Sequence, residues 1–339
     1  MAKPRIVRFF ARNLVAASAT LLGLLVVTFA IGRLLPIDPV LAAVGDRASA
    51  EVIAHARAEM GLDLPLYRQF GIYVGDALRG DFGQSVLTGQ PVIADIARVF
   101  PATLELATAA MLIGLLLGVP MGVAGAVWRG RWPDHLIRVI GLLGYSVPIF
   151  WLGLMGLLIF YARLGWVAGP GRIDVYYDGI APPVTGALVV DSLIAGNGTI
   201  FVNVLRHLFL PAAILGFFSL AYLSRMTRGF MIEQLSREYI TAARIKGLPE
   251  SRVIWVHALG NVLVPLTTVI ALGYGSLLEG SVLTETVFSW PGLGLYITHS
   301  LLSADMNAVL GGTLVVGAAF VGLNLLAESL YPILDPRAR

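Results

Sequence analysis

The sequence predicts an all-α polytopic membrane protein with six transmembrane helices. Hydrophobic residues make up 57% of the 339 positions and charged ones 13%, where a soluble domain carries about 25% charge. The apolar residues gather in runs near the roughly 20 residues that cross a bilayer, and Lys and Arg fall mostly between those runs. With no cysteine, disulfides and thiolate metal sites are excluded. The net charge of +3 is spread without the clustered basic face that a nucleic-acid partner needs.

The spans read as 9–31, 101–128, 136–163, 204–230, 256–283 and 306–331. The first follows Lys3, Arg5 and Arg8. It exceeds the 7–15 apolar residues of a signal peptide and is taken as a membrane helix. With the N-terminus inside, the cytoplasmic side collects Arg12, Arg129, Arg131, Arg138, the basic residues between Arg225 and Arg252, Arg337 and Arg339. The short opposite loops offer Arg172 and no basic residue over 284–305. That asymmetry places both termini in the cytoplasm.

The 33–100 stretch is too long for a plain connector. Its 48–60 and 64–78 parts read as amphipathic helices separated by Gly61-Leu62-Asp63, and 80–85 forms a turn-rich link toward Pro91. The domain reading is therefore 1–32 for the tail and first helix and 33–100 for a small helical outer segment. A five-helix core follows over 101–335, then a cytoplasmic tail, 336–339.

Inside the spans, Pro101 opens the second helix, which puts Glu105 in its first turns, where the helix dipole favours a carboxylate. This structural role is preferred over a substrate contact. Ala110, Gly114, Gly118, Gly122 and Ala126 recur every four residues, a stripe that lets another helix approach closely in lipid. Pro148 kinks or loosens the third span; the kink either suits packing or turns Tyr145 and Ser146 toward a pore. The 167–199 loop, with Tyr176, Tyr177 and Pro182-Pro183, either touches an external partner or is simply exposed. Glu279 is a functional candidate as an intramembrane acid, or is solvated near the outer interface with Glu285. The aromatics of 284–294 are placed at headgroup depth.

The chain is organised around a polar hairpin, 233–257, between the fourth and fifth spans. Glu233 and Arg237 sit four apart, a favourable pair on one helix face. Glu238 to Lys246 reads as helix, Gly247 fits a left-handed helix end, and Pro249 opens a new helix with Glu250 in its first turn. Six basic residues, Arg225, Arg228, Arg237, Arg244, Lys246 and Arg252, keep this segment out of the bilayer. Ala242, Ala243 and Gly247 leave little side chain, so another surface can approach the backbone.

The pattern Glu238-Tyr239, Ala242-Ala243-Arg244, Lys246-Gly247, followed by His257-Ala258, Asn261 and Pro265, resembles the coupling motif of ABC-importer permeases. More narrowly it resembles the B-type permease of dipeptide, oligopeptide and nickel uptake systems. The stretches 61–66, 80–85, 284–294 and 331–337 are similar to that family too. The resemblance implies a type I ABC-importer permease (MetI-like) core with an extra N-terminal helix, in the bacterial inner membrane. It also implies a second permease as heterodimer partner, two ATP-binding subunits gripping Glu238, Tyr239, Ala242, Ala243, Arg244, Lys246, Gly247 and Leu248, and an extracytoplasmic substrate-binding protein. ATP and Mg are then expected in the partner subunits and no cofactor in this chain. Short peptides are the implied substrate, with nickel, oligosaccharides or other small solutes as alternatives.

The chemistry that is missing agrees with a passage rather than a catalyst. There is no GxxxxGK[ST] loop, and Lys3 and Lys246 are the only lysines. His55, His135, His207, His257 and His299 form neither an HExxH pair nor a short-range metal cluster, and His257 is expected to cap or pair at the hairpin exit. No GxSxG elbow occurs. The different-class alternative, an ion-coupled transporter, calls for internal repeats and midplane charges, and neither stands out.

Overall fold

A computed structural model describes residues 3–34, 39–45, 47–180 and 182–334. The expected tail 336–339, with Arg337, Arg339 and the family-like Asp335-Pro336, lies outside them. The helices are α1 (Lys3–Leu34), α2 (Pro39–Val44), α3 (Ala50–Glu59), α4 (Leu66–Arg79), α5 (Val92–Val127), α6 (Trp132–Ser146) and α7 (Ile149–Arg163). They continue with α8 (Leu188–Ile194), α9 (Gly198–Leu235), α10 (Glu238–Ile245), α11 (Glu250–Val287), α12 (Leu293–Leu302) and α13 (Met306–Leu334).

The centre of the bundle is α9, which packs on α5, α6 and α11, while α13 lies between α11 and α1. At 38 residues and 1.5 Å per residue, α9 is about 57 Å long against a hydrocarbon core of about 30 Å. It therefore projects beyond the membrane, and its C-terminal end carries the hairpin. The small-residue stripe is the contact that brings α5 and α9 together. A Cβ on Gly118 would stand 2.8 Å from Leu220 O, and one on Gly122 would stand 2.6 Å from both Ser224 O and Thr227 Cβ. One turn of π-helix, Gly114–Gly118, runs through the same seam.

Among the described residues five helices are long and apolar enough to cross a membrane, and α6 with α7 makes a sixth only if the pair counts as one span, because it is bent by 97°. The expected third span is thus broken, not merely kinked. Val147 (ψ 125°) and Pro148 (ψ 132°) are both extended. The proline supplies no N–H and disfavours helix at the residue before it.

A second correction concerns α5, which begins at Val92 and carries Pro101 in its interior. Burial of Val92 and Ile96 against Leu293 and Ala308 holds the extra turns despite the proline. Glu105 consequently lies mid-helix, where the dipole of the first turn does not reach it. It accepts instead from Arg172 (2.5 Å) and from the Val189 N–H (2.7 Å), and both charged side chains are nearly buried, at 5% and 10% exposure.

The stretch 284–294 also departs from expectation. Phe288 and Trp290 are buried rather than at a headgroup surface. The Trp290 indole donates to Ala102 O (2.9 Å), and the Leu293 N–H to Thr103 Oγ1 (2.7 Å). Glu285 is fully buried and accepts from Thr103 (2.7 Å), Ser281 (3.1 Å) and the Leu295 N–H (2.9 Å), so it is not solvated. Gly292 and Gly294 leave room for its carboxylate, which a Cβ at Gly292 would meet at 2.5 Å.

The outer segment is tied to the bundle at two places. Tyr73 of α4 donates to Thr28 of α1 (2.9 Å), and Phe29 packs edge-on to Phe70. Asp305, before α13, accepts from Ser85 (2.6 Å) and the Leu87 N–H (3.2 Å) of the 80–91 link. In the 167–199 loop, Asp191 accepts from Thr185 and from the Gly186 N–H, and Val175 and Tyr176 remain exposed.

Candidate functional site

The hairpin begins where α9 stops at Leu235. Arg237 is extended (ψ 149°) and caps α10, so its pair with Glu233 spans the break between two helices instead of one helix face. After α10 the Gly247 N–H donates to Arg244 O (2.9 Å) and the Leu248 N–H to Ala243 O (3.3 Å), the pairing that closes a helix on a left-handed glycine. Gly247 has φ +75°. Pro249 is extended and Glu250 starts α11.

Arg244 bridges this turn, donating from Nε to Glu250 Oε2 (3.1 Å) and from NH2 to Oε1 (2.5 Å). Arg244 beside it holds the Glu250 carboxyl below the usual carboxylate range. A depressed folded pKa contributes stability above the unfolded value, and that stability is lost as pH falls through the folded one. The clamp therefore stays closed across neutral pH and opens in acid. A spin label on Ile245→Cys should report constant mobility at neutral pH and rising mobility below the ordinary value of 4.5; Glu250→Gln should show the raised mobility already at neutral pH. The pair is half-exposed, so its stabilisation is at most about 1 kcal/mol.

The structure separates the expected hairpin contacts into two faces. Glu238, Tyr239, Ala242, Arg244, Lys246 and Gly247 are exposed. Ala243 is buried with Ile240 beside Val253 and Ala258 of α11, and Leu248 packs on that same cluster; these two fix the hairpin to its own bundle. Ile245, 82% exposed, shares the outer face with Ala242 at i, i+3 spacing and was missed because an aliphatic residue in a helix reads as core. Tyr239 donates to Gln234 Oε1 (2.9 Å). His257 neither caps nor pairs through Nε2, which is buried without a hydrogen-bond partner.

The other candidates are not brought together. Tyr145 lines a cavity of about 240 Å³ with Phe218, Ser219, Tyr222, Arg225, Gly273 and Ser276, whereas Ser146 is exposed outside its lining. Glu279 borders a different cavity, of about 290 Å³, reached by Leu24 of α1 and Thr313 of α13. Among the described residues no group of three or more His, Cys, Asp or Glu is placed to hold a metal ion.

A polar hairpin clamped to the base of a bundle of apolar helices is the setting in which the comparisons with known proteins fall. The chain belongs to the family of binding-protein-dependent transport system inner membrane components, whose model matches residues 114–339, while the N-terminal model of the same systems matches 6–107. It is 47% identical over 317 residues to the probable D,D-dipeptide transport system permease protein DdpB of Escherichia coli K12, covering 93% of this chain and 92% of that one. It is 42% identical over 332 residues to the di/tripeptide transport system permease protein DppB of Pseudomonas aeruginosa, covering 98% of each. Among solved structures, the MetNI methionine ABC transporter in inward-facing conformations matches 69% of this chain and 93% of its own, with a TM-score of 0.50 and 16% identity, a likeness of fold. The chain is thus a multi-pass ABC-importer permease subunit of the inner membrane, and the family supplies the permease rather than the catalytic subunit.

Proposed function

We propose that this chain is one permease of an ATP-driven importer of short peptides. It forms the passage with a second, different permease, beneath an extracytoplasmic binding protein and above two ATP-binding subunits that hold ATP and Mg. Both termini lie in the cytoplasm with the hairpin. The peptide relatives support the substrate class. The observation that carries the mechanism is the hairpin: α10 is clamped to α11 by Arg244–Glu250 and anchored by Ile240, Ala243 and Leu248. A push on its exposed face, Ala242, Ile245 and Gly247, therefore moves α9 and α11 as bodies, the kind of rigid displacement that can switch access between packed helices.

The test is uptake of labelled peptides into proteoliposomes holding the full transporter with its binding protein. ATP-dependent di- and tripeptide uptake is expected, and none from this chain alone; ion-driven uptake by the isolated chain would overturn the proposal. A second measurement addresses the hairpin. No described atom beyond its chain neighbours lies within 4 Å of a Cβ on Gly247, so Gly247→Val leaves the bundle untouched but strains the left-handed turn by about 1–2 kcal/mol. Normal assembly with uptake per ATP reduced several-fold is expected, and unchanged uptake would remove the hairpin from the transmission path.

A further inference from the structure

The cavity beside Tyr145 holds a cation, Arg225, that no carboxylate among the described residues pairs with. Arg228, one turn further along α9, is locked on the buried Asp134 (2.6 and 2.9 Å), Arg237 pairs with Glu233 and Arg244 with Glu250. Arg225 has no carboxylate partner among the described residues. Its guanidinium lies over the Tyr145 ring, 4.6 Å from the centroid, with a long 3.5 Å contact to the Tyr145 hydroxyl. Phe218 meets the same ring edge-on, 5.3 Å between centroids. One face of the guanidinium is thus covered by an aromatic ring that cannot neutralise it, and apart from the long NH2 contact to Tyr145 the planar fork of donors has no partner among the described residues.

The rest of the wall is built to match. The Tyr222 and Ser276 hydroxyls have no hydrogen-bond partner among the described residues, and the Ser219 hydroxyl donates to the Met111 sulfur (3.7 Å). Gly273 makes room for the Tyr222 ring, which a Cβ there would meet at 3.3 Å. At about 240 Å³ the space is below the roughly 300–1,000 Å³ that encloses a drug-sized ligand, so it takes the end of a molecule and not the whole. It lies where α6 breaks before Pro148 and opens beside α11.

We propose that Arg225, with the Tyr222 and Ser276 hydroxyls, receives the C-terminal carboxylate of the transported peptide within the passage. A guanidinium and a carboxylate form a charge-assisted, two-pronged pair, and the hydroxyls satisfy the remaining lone pairs. The inference rests on the peptide reading and adds a residue and a ligand group to it. A phospholipid phosphate has related chemistry, and the experiment tells the two apart.

Because the chain has no cysteine, Ser276→Cys gives it a single thiol in the cavity wall. Maleimide labelling of that thiol is followed in the full transporter in nanodiscs of zwitterionic lipid, without binding protein. Millimolar dipeptide should slow labelling, the C-terminal amide of the same dipeptide should not, and Arg225→Gln should weaken the dipeptide's protection by about tenfold in concentration. Arg225→Lys should recover part of it. Equal protection by acid and amide, protection that survives Arg225→Gln, or no protection at all overturns the proposal. Arg225-dependent slowing by anionic lipid in place of peptide assigns the site to a phosphate and also overturns it. Dipeptide uptake by the unaltered transporter is measured alongside, so that loss of the peptide reading and loss of this site are told apart.

Discussion

Replacing Arg172 with alanine is expected to destabilise the chain more than any loss of exposed charge. Arg172 donates to Glu105 (2.5 Å) and to Gly186 O (3.1 Å), and its guanidinium lies 5.4 Å from the Trp290 ring centre. Its removal strands Glu105, a carboxylate at 5% exposure in the middle of a membrane helix. Breaking a buried pair by removing one partner costs about 3–5 kcal/mol, because the remaining charge keeps its desolvation penalty. The loss should appear as a lower unfolding temperature in detergent and a smaller monodisperse fraction. The double change Arg172→Leu with Glu105→Leu should be less damaging than Arg172→Ala, since it leaves no unpaired charge. A single variant as stable as the parent would show that Glu105 has another source of compensation.

The second large effect is expected at Gly122. Any side chain there meets backbone, Ser224 O at 2.6 Å and Arg228 N at 3.0 Å, so no rotamer change can relieve it. Overpacking of this kind costs about 1–3 kcal/mol and sometimes more. Here separation of α5 and α9 would also open the seam at Gly114 and Gly118. Gly122→Leu should sharply reduce recovery of folded chain, with Gly122→Ala intermediate. Gly23→Leu on α1 has open space around it and serves as the control. Equal recovery of the two leucine variants would mean that the stripe does not hold the bundle.

The contrast between these sites bears on what could be read from residues in a row. The stripe was legible because its spacing is a local, periodic property, and helices in lipid need small residues to approach. Gly247 was legible for a related reason: left-handed turns favour one residue type. Glu105 was misplaced because the start of α5 is set by burial of Val92 and Ile96 against α12 and α13, a contact between segments about 200 residues or more apart. Glu285 and Trp290 read as interfacial for the same reason; Thr103 and Ala102, which receive them, are remote in sequence. The hairpin's helix and turn were legible, but not the division of its residues into faces, since exposure of Ile245 and burial of Ala243 depend on where α11 passes.

By itself, then, the sequence determined the membrane class, the number of apolar runs, the hairpin and its turn, and the family these define. Composition, periodicity and turn chemistry act over a few residues and survive in any arrangement of the helices. The tertiary structure alone decided that α6 and α7 part at Pro148, that Arg172 answers Glu105, and that Arg225 is left facing a cavity. Charges in a low-dielectric interior are governed by which group stands within a few ångströms, and that neighbour is chosen by packing.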